Sequence, residues 1–273
     1  MTDISLKAGD AFAGQALRRS FAWRSWLLKL APFISPVLLV AAWAWVAQQR
    51  YFPEQIVVPP EAVLAAFREL WDSGELQMHL SVSLYRLAAG FAIGTVTGLA
   101  FGVLMALSRQ VEIYFGPLFH ALRQIPTLVL IPMAILIFGI DETLKIVLLV
   151  KATFFPPAIA AYDAVKNLPR GHLEVGRVYR LPPFTLFRRI IFPATVPPVL
   201  TGIRISLGRA WLVLVAVELL AADSGLGQMM ELGRQMLRLD IVMVGVILTG
   251  VIGFALDKGF RLLERFLLRW KYR

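Results

Sequence analysis

The chain has 273 residues, of which 58% are hydrophobic and only 17% are charged, and its net charge is +10. A soluble domain carries about 25% charged residues, so this balance indicates one domain embedded in lipid and argues against a soluble enzyme or a nucleic-acid-binding protein. The absence of cysteine excludes disulfides, thiolate metal sites and cysteine nucleophiles. The histidines (His79, His120, His172) are too scattered for a metal site, so none is expected.

Six stretches predict membrane-spanning helices, since a span needs about 20 mostly apolar residues and about 17 is near the lower limit. The weakest, Pro197–Ala222, is interrupted by Arg204, Arg209 and Glu218, but without it the loops on either side would fall on one side of the membrane. The other five are Ala31–Ala47, Leu87–Ser108, Gln124–Ile140, Ile146–Tyr162 and Ile241–Leu256. The sequence therefore predicts an all-α, polytopic membrane protein with about six transmembrane helices.

The loops predict the orientation of these helices, because Lys and Arg concentrate on the cytoplasmic side. Basic loops alternate along the chain with acidic or mixed ones. We therefore expect a cytoplasmic segment at 1–30, a single transmembrane domain at 31–273 and both termini in the cytoplasm. A cleaved signal peptide ending near Ala42-Trp43-Ala44 is the alternative for the first span, although its basic lead is long.

Two amphipathic stretches lie outside the predicted spans. Glu61–Trp71 has apolar residues at helical spacing and predicts a helix lying on the outer surface. Leu226–Leu239, preceded by Gly225, has a similar pattern and is expected to dip partly into the membrane from outside.

The sequence contains no energy source of its own. It has no G-x-x-x-x-G-K-[ST] phosphate-binding loop and no paired carboxylates within a span, which a proton relay would favour. If the protein does work, we expect a partner to supply the energy.

Four glycines recur every fourth residue in the second predicted span: Gly90, Gly94, Gly98 and Gly102. Four residues turn about 400° around a helix, so these glycines form one slowly drifting stripe. Within lipid, small residues mark the faces where helix backbones approach closely. The stripe predicts a packed helix–helix contact and no contact with substrate.

Four ionisable residues within or at the ends of the predicted spans are candidates for a substrate pathway: Arg86, Lys151, Arg209 and Glu218. At about 1.5 Å per residue, Arg209 falls near the midplane and the others in the outer half of the membrane. Intramembrane charges face the protein interior or water and usually pair. Two hypotheses stay open: Glu218 forms a structural ion pair with Arg86 or Lys151, or the charges line a cation-biased vestibule for an anionic solute.

The large cytoplasmic loop, residues 165–196, contains the basic, amphipathic segment Glu174–Pro193 with Pro182-Pro183 at its centre. This pattern predicts two short helices broken at the prolines. On composition alone, a helix lying on anionic lipid headgroups is an equal alternative.

The same segment resembles the signature E-A-A-x3-G-x9-I-x-L-P of ABC-importer permeases. The matching residues are Glu174, Val175, Gly176, Ile190 and Pro193. Arg180 stands where the family usually has Gly, and Phe192 where it usually has Leu. The resemblance implies that this loop docks on an ATPase subunit and transmits its motion to the spans.

Further short segments, in the same order along the chain, resemble the sulfonate/nitrate/taurine branch of that family. They are Ser83–Phe91, Leu122–Pro126, Ile131–Pro132, Phe138–Ile140, Phe154–Pro156, Ala210–Leu212 and Ser224–Gly227. The resemblance covers most of the chain and implies the type I ABC importer permease fold in the bacterial inner membrane.

The resemblance also implies a function and a set of partners. The chain would be a permease subunit without catalytic residues or a bound cofactor of its own, because ATP and Mg²⁺ would bind to two copies of a partner ATPase. A second permease copy, an extracytoplasmic solute-binding protein and the lipid bilayer complete the expected partners, with no nucleic acid. The solute would be a small anion such as a sulfonate, taurine or nitrate, moved by alternating access.

Two other classes of function are weighed against this one. A self-contained secondary transporter or channel is the main alternative, but the chain lacks evident inverted repeats and acidic relays. A purely structural membrane anchor is the third, and the glycine stripe and the intramembrane charges argue against it.

Overall fold

The computed structural model describes residues 34–49, 57–168, 171 and 179–269. Within these ranges every regular element is helical, as the sequence predicts. The chain divides into two units, Met1–Ala62 and Val63–Arg273. In the first unit, helix α1 covers Ile34–Gln48, and Trp43 Nε1 donates a hydrogen bond of 3.1 Å to the carbonyl of Val58.

Nine further helices follow α1 in the described residues. They are α2 (Pro60–Asp72), α3 (Glu75–Leu107), α4 (Arg109–Gln124), α5 (Ile131–Phe138), α6 (Glu142–Lys166), α7 (Pro183–Leu186), α8 (Phe192–Ala221), α9 (Leu226–Gln235) and α10 (Leu239–Leu267). A 3₁₀ turn, Thr127–Leu130, precedes α5, and a π-helical turn, Phe187–Ile191, joins α7 to α8.

Three of these helices, α3, α6 and α10, are individually long and apolar enough to cross a membrane. Two bent pairs, α4 with the 3₁₀ turn and α5, and α7–α8 with α9, raise the possible number to five. Helix α1 is apolar but shorter. The described helices are therefore those of a polytopic membrane protein, while the count of six remains a prediction.

The third predicted span, Gln124–Ile140, is not one continuous helix. Residues 109–123, which the predicted spans leave as a loop, form α4 together with Gln124, and the chain then bends by 89° into the next helical segment. The break lies at Ile125 and Pro126, because a residue before proline is driven towards extended backbone, and Ile125 has ψ 115°. Gly139, at φ 69°, ends α5 in a conformation that glycine adopts without strain.

Helix α6 packs between α3 and α8. A Cβ built on Gly90 or Gly94 would overlap Leu149 or Thr153 of α6. A Cβ on Gly98 or Gly102 would overlap α6 backbone carbonyls. All four glycines of the stripe therefore face α6, where the missing side chains allow near-contact between the two helices.

The same close approach occurs on the other side of α6. A Cβ on Gly202 of α8 would overlap the side chain of Ala160. Ser206 Oγ donates a hydrogen bond of 2.9 Å to the carbonyl of Thr153, which ties α8 to α6 at a fully buried position. The closely packed helices α3, α6 and α8 carry most of the charged side chains described below.

Candidate functional site

The four charged residues that the sequence proposes for a substrate pathway lie in two separate places. The first is a buried network around Arg86, whose side chain is fully enclosed. Its Nη1 lies 2.9 Å from Glu218 Oε1, and its Nε and Nη2 donate to the two carboxylate oxygens of Glu142. Nη1 and Nη2 also reach the carbonyl and hydroxyl of Ser224. Each guanidinium nitrogen thus has an acceptor, as a buried arginine requires.

The side chains of this network also accept hydrogen bonds from three successive backbone N–H groups at the start of α9. Gly225 N–H donates to Nδ1 of His79, and Leu226 N–H donates to Oγ of Ser83. Gly227 N–H donates to the Glu218 carboxylate, to which Ser83 Oγ also donates. Because the first N–H groups of a helix lack intrahelical partners, side chains of α3 and α8 supply the cap that the turn itself does not.

The turn that enters α9 has no room for side chains at its two glycines. Gly225 adopts φ 112°, which other residues rarely do, and a Cβ there would lie within the Glu218 carboxylate. A Cβ on Gly227 would lie 2.5 Å from Glu218 Cβ. Both glycines are therefore needed for the turn to approach Glu218 this closely.

The second place is a cavity of about 210 Å³ between the α4–α5 break, α6 and α8. Three cationic side chains line it, those of Arg123, Lys151 and Arg209, and its described lining includes no acidic residue. The remaining lining residues are mostly apolar: Ile125, Pro126, Thr127, Ala152, Phe155, Leu212 and Val213. Positive charge beside an apolar wall favours a ligand with an anionic head and a small apolar body.

Lys151 is held in this cavity by the broken helix. Its Nζ donates to the backbone carbonyl of Ile125 and to Thr127 Oγ1, the latter at 3.3 Å. The α4–α5 break frees backbone carbonyls that a continuous helix would satisfy, and within a membrane such groups need another partner. Lys151 therefore supplies a hydrogen bond to a carbonyl that the break leaves without a helical partner, and it places an ammonium group at the cavity.

The two arginines of the cavity differ from Arg86. Among the residues that the structure describes, neither Arg123 nor Arg209 has a carboxylate within ion-pair distance. Both are exposed in the single chain. An intramembrane cation without a counter-ion is costly, and such residues usually face water or a partner of opposite charge.

The four pathway candidates from the sequence are thus divided between the two places. Arg86 and Glu218 form an ion pair in the buried network, whereas Lys151 and Arg209 line the cavity. Arg204, which interrupts the predicted fifth span, lies 2.8 Å from Asp257 and 3.8 Å from Glu264 of α10.

The sequence prediction included Arg86 but missed His79 and Ser83 on the same helix. The three residues stand at positions i, i+4 and i+7, and this spacing could have revealed a shared polar face. The predicted spans leave Glu142 in a loop, but it lies in the first turn of α6. They also leave Arg123 outside the membrane, and the bend after α4 brings it to the cavity.

The predicted ATPase-coupling loop is described only in part. Glu174, Val175 and Gly176 lie outside the described residues. Arg180 adopts φ 47°, the left-handed region, at the position where the resembled family usually has Gly. Pro183 begins α7, Ile190 lies in the π-helical turn, and Pro193 is in the first turn of α8.

Outside the spans, α2 is tied to the turn between α9 and α10. Arg238 Nη1 and Nη2 each donate a hydrogen bond of 2.7 Å to the carboxylate of Glu69. These bonds hold the pKa of Glu69 below its usual value of 4.5 and raise the pKa of Arg238. No group of three His, Cys, Asp or Glu residues that could bind a metal ion occurs in the part of the chain that the structure describes.

Comparison with known proteins identifies relatives along most of the chain. A family model described as "Binding-protein-dependent transport system inner membrane component" matches residues 98–269. The "Putative aliphatic sulfonates transport permease protein SsuC" of Escherichia coli (strain K12) is 39% identical over 247 residues, which are 90% of this chain and 94% of that protein.

A second relative and a solved structure extend the comparison. The protein of the same name from Bacillus subtilis (strain 168) is 36% identical over 254 residues, which are 93% of this chain and 90% of its own. The solved "Crystal structure of an amino acid ABC transporter with histidines" has a chain similar in fold, with a TM-score of 0.54 at 17% identity. The match covers 74% of this chain and 96% of that one.

Proposed function

This chain belongs to the family of binding-protein-dependent transport system inner membrane components, and we propose that it carries a small organic anion, of the aliphatic sulfonate class, across that membrane. The family makes it a permease subunit of an ABC transporter and not an enzyme, so ATP hydrolysis belongs to a separate subunit. The two similar proteins whose names specify aliphatic sulfonates support this choice of solute.

The observation that carries the proposal is the cavity with Arg123, Lys151 and Arg209. Its three cations attract a negatively charged head, and its apolar wall accommodates a short alkyl chain. An anion there would supply the counter-charge that the two arginines do not receive from the described residues. A cationic or neutral solute would leave both arginines without a counter-charge, which is costly within a membrane.

We propose alternating access as the mechanism, with the energy supplied by two partner ATPases and the solute delivered by an extracytoplasmic binding protein. In this scheme the loop containing Glu174–Pro193 docks on the ATPase, and its motion enters the membrane through α8, which begins at Phe192. A second copy of the chain completes the pathway, and both termini lie in the cytoplasm. The family resemblance and the basic loops support this arrangement.

The solute assignment is tested by uptake into proteoliposomes. The permease is reconstituted with its ATPase and binding protein, and ATP-dependent uptake of radiolabelled ethanesulfonate is measured. Arg209→Gln, Lys151→Gln and Arg123→Gln should each lower uptake about tenfold, as expected for losing a charged partner of a bound ion. Arg234→Gln is the matched control, because this exposed arginine of α9 pairs with Glu231 and does not line the cavity.

Two outcomes would contradict the proposal, one for the cavity and one for the anionic solute. Unchanged uptake in all three variants would remove the cavity from the pathway. Uptake of a cation in preference to ethanesulfonate by the wild-type complex would exclude an anionic solute altogether.

Docking of the ATPase is tested separately. Glu174→Arg reverses the charge at the first residue of the signature and should abolish co-purification of the ATPase with the permease. Retained co-purification together with normal solute-stimulated hydrolysis would show that this loop is not the docking element.

A further inference from the structure

The network around Arg86 lies at one end of α8, and the predicted coupling loop lies at the other. Helix α8 has 30 residues, so at about 1.5 Å per residue it is about 45 Å long, and with α7 and α9 it forms one of the two bent pairs that could cross a membrane. Glu218 and the turn Ser224–Gly227 therefore belong to the opposite side of the membrane from the loop that precedes Phe192.

Every side chain that holds this turn is inaccessible to solvent or nearly so. The exposed fractions are 0% for Ser83, 0% for Arg86, 1% for Glu218 and 7% for His79. A fully buried ion pair with satisfied donors is costly to separate, because separation leaves an unpaired charge in a medium of low polarity. The turn is thus bound to α3 by contacts that resist opening.

The network also joins α6 to the same unit. Arg86 binds Glu142 in the first turn of α6, and the nearly buried Lys145 binds the same carboxylate at 3.0 Å. Two cations and two carboxylates therefore balance within the network. The glycine stripe of α3 and Gly202 of α8 add close backbone contacts along the lengths of these helices.

We propose that the network of His79, Ser83, Arg86, Glu142 and Glu218 is a permanent joint that makes α3, α6, α8 and the start of α9 move as one body. This inference rests on the proposed function. Motion received at the cytoplasmic end of α8 is thereby carried to the α8–α9 turn on the outer side, instead of being absorbed by a bend between α8 and α9. His79, Ser83, Arg86, Glu142 and Glu218 are positioning residues in this scheme and do not touch the solute.

The joint predicts a distance that stays constant through the transport cycle. Because the chain has no cysteine, Tyr85→Cys on α3 and Leu232→Cys on α9 give two unique labelling sites. Both side chains are exposed, at 68% and 46%. Spin labels at these sites are measured by double electron–electron resonance in the reconstituted complex, with labelled permease diluted by unlabelled permease.

The expected result is one narrow distance peak that does not shift between the nucleotide-free and the ATP-trapped complex. In the Ser83→Ala background, which removes the donor to Glu218 and the acceptor for Leu226 N–H, the peak should broaden. The ratio of ATP hydrolysis with and without solute-loaded binding protein should fall towards one. Ser81→Ala is the matched control, since Ser81 is exposed and, among the described residues, its hydroxyl bonds within its own helix to the carbonyl of Met78.

A shift of the peak on ATP trapping, in labelled complexes that retain ATP-dependent uptake, would overturn the joint. So would a Ser83→Ala complex with an unchanged peak and unchanged stimulation. Glu218→Gln provides a second perturbation that keeps the shape of the side chain, so the test does not depend on one variant. Failure of the proposed function is separate, because it would appear as absent ATP-dependent uptake in the unlabelled wild-type complex.

Discussion

Arg86 and Glu218 lie 2.9 Å apart on different helices, and neither side chain is exposed. Replacing one partner leaves the other as a buried, uncompensated charge, which typically costs about 3–5 kcal/mol. Arg86→Met alone should therefore destabilise the permease by this amount, measured as the loss of monodisperse complex on heating or in denaturant.

The double variant Arg86→Met with Glu218→Gln should regain a large part of that loss. No buried charge then remains at this pair, the glutamine carbonyl still accepts from Gly227 N–H, and Glu142 keeps its pair with Lys145. A double variant no more stable than Arg86→Met would mean that the ion pair is not the source of the destabilisation.

Replacing a glycine of the stripe by alanine should destabilise the permease by an amount that depends on which atoms the new methyl group contacts. At Gly102 a Cβ would overlap backbone atoms of Ala158, which cannot move aside as the end of a side chain can. Gly102→Ala should therefore destabilise the permease by about 1–3 kcal/mol in the same unfolding assay.

Gly250 of α10 is the matched control for this substitution. A Cβ there meets nothing within 4 Å, so Gly250→Ala should be neutral or stabilising by up to about 1 kcal/mol. Equal effects at Gly102 and Gly250 would argue against the close packing of α3 on α6.

Arg180 occupies a left-handed conformation, φ 47°, that glycine adopts without strain. Arg180→Gly should relieve about 1 kcal/mol of backbone strain while retaining co-purification of the ATPase. Arg180→Val should do the opposite, because a β-branched residue is least compatible with this region. The thermal midpoint and the amount of co-purified ATPase check both; a valine variant as stable as the glycine variant would exclude backbone strain at this position.

The contact of α2 with Arg238 should depend on pH. The pKa of Glu69 is depressed in the folded protein, so its contribution is fully present above the ordinary value of 4.5 and is lost as the pH falls through the lowered value. A spin label at Ala65→Cys on the exposed face of α2 should therefore gain mobility as the pH is lowered from above 4.5 through the depressed pKa of Glu69.

Glu69→Gln is expected to remove most of this change, because glutamine does not titrate. Glu61→Gln, on the same helix, should retain it. An equally strong response in Glu69→Gln would assign the pH dependence to another group.

The all-helical class could be predicted from the sequence, because apolar runs long enough to span a membrane are rare in soluble proteins and form helices in lipid. The α4–α5 bend was harder to place, since Pro126 and Pro132 both suggest a break and hydropathy does not distinguish a straight span from a bent one. The pairing of Arg86 with Glu142 was missed for a related reason: a residue counted as part of a loop cannot be assigned a partner inside the membrane. Local patterns revealed the ionisable candidates, but only the tertiary arrangement separated Lys151 and Arg209 from Arg86 and Glu218.

The hydrogen bond from Lys151 to the carbonyl of Ile125 weakens the attraction that Lys151 can offer to an anionic solute. An anion that enters the cavity meets an ammonium group that already has an acceptor, so it must share or displace that bond and gains only the difference. Under the proposed function, an anion would therefore bind less tightly beside Lys151 than beside a free ammonium group. Weaker binding would make release of the solute in each transport cycle easier.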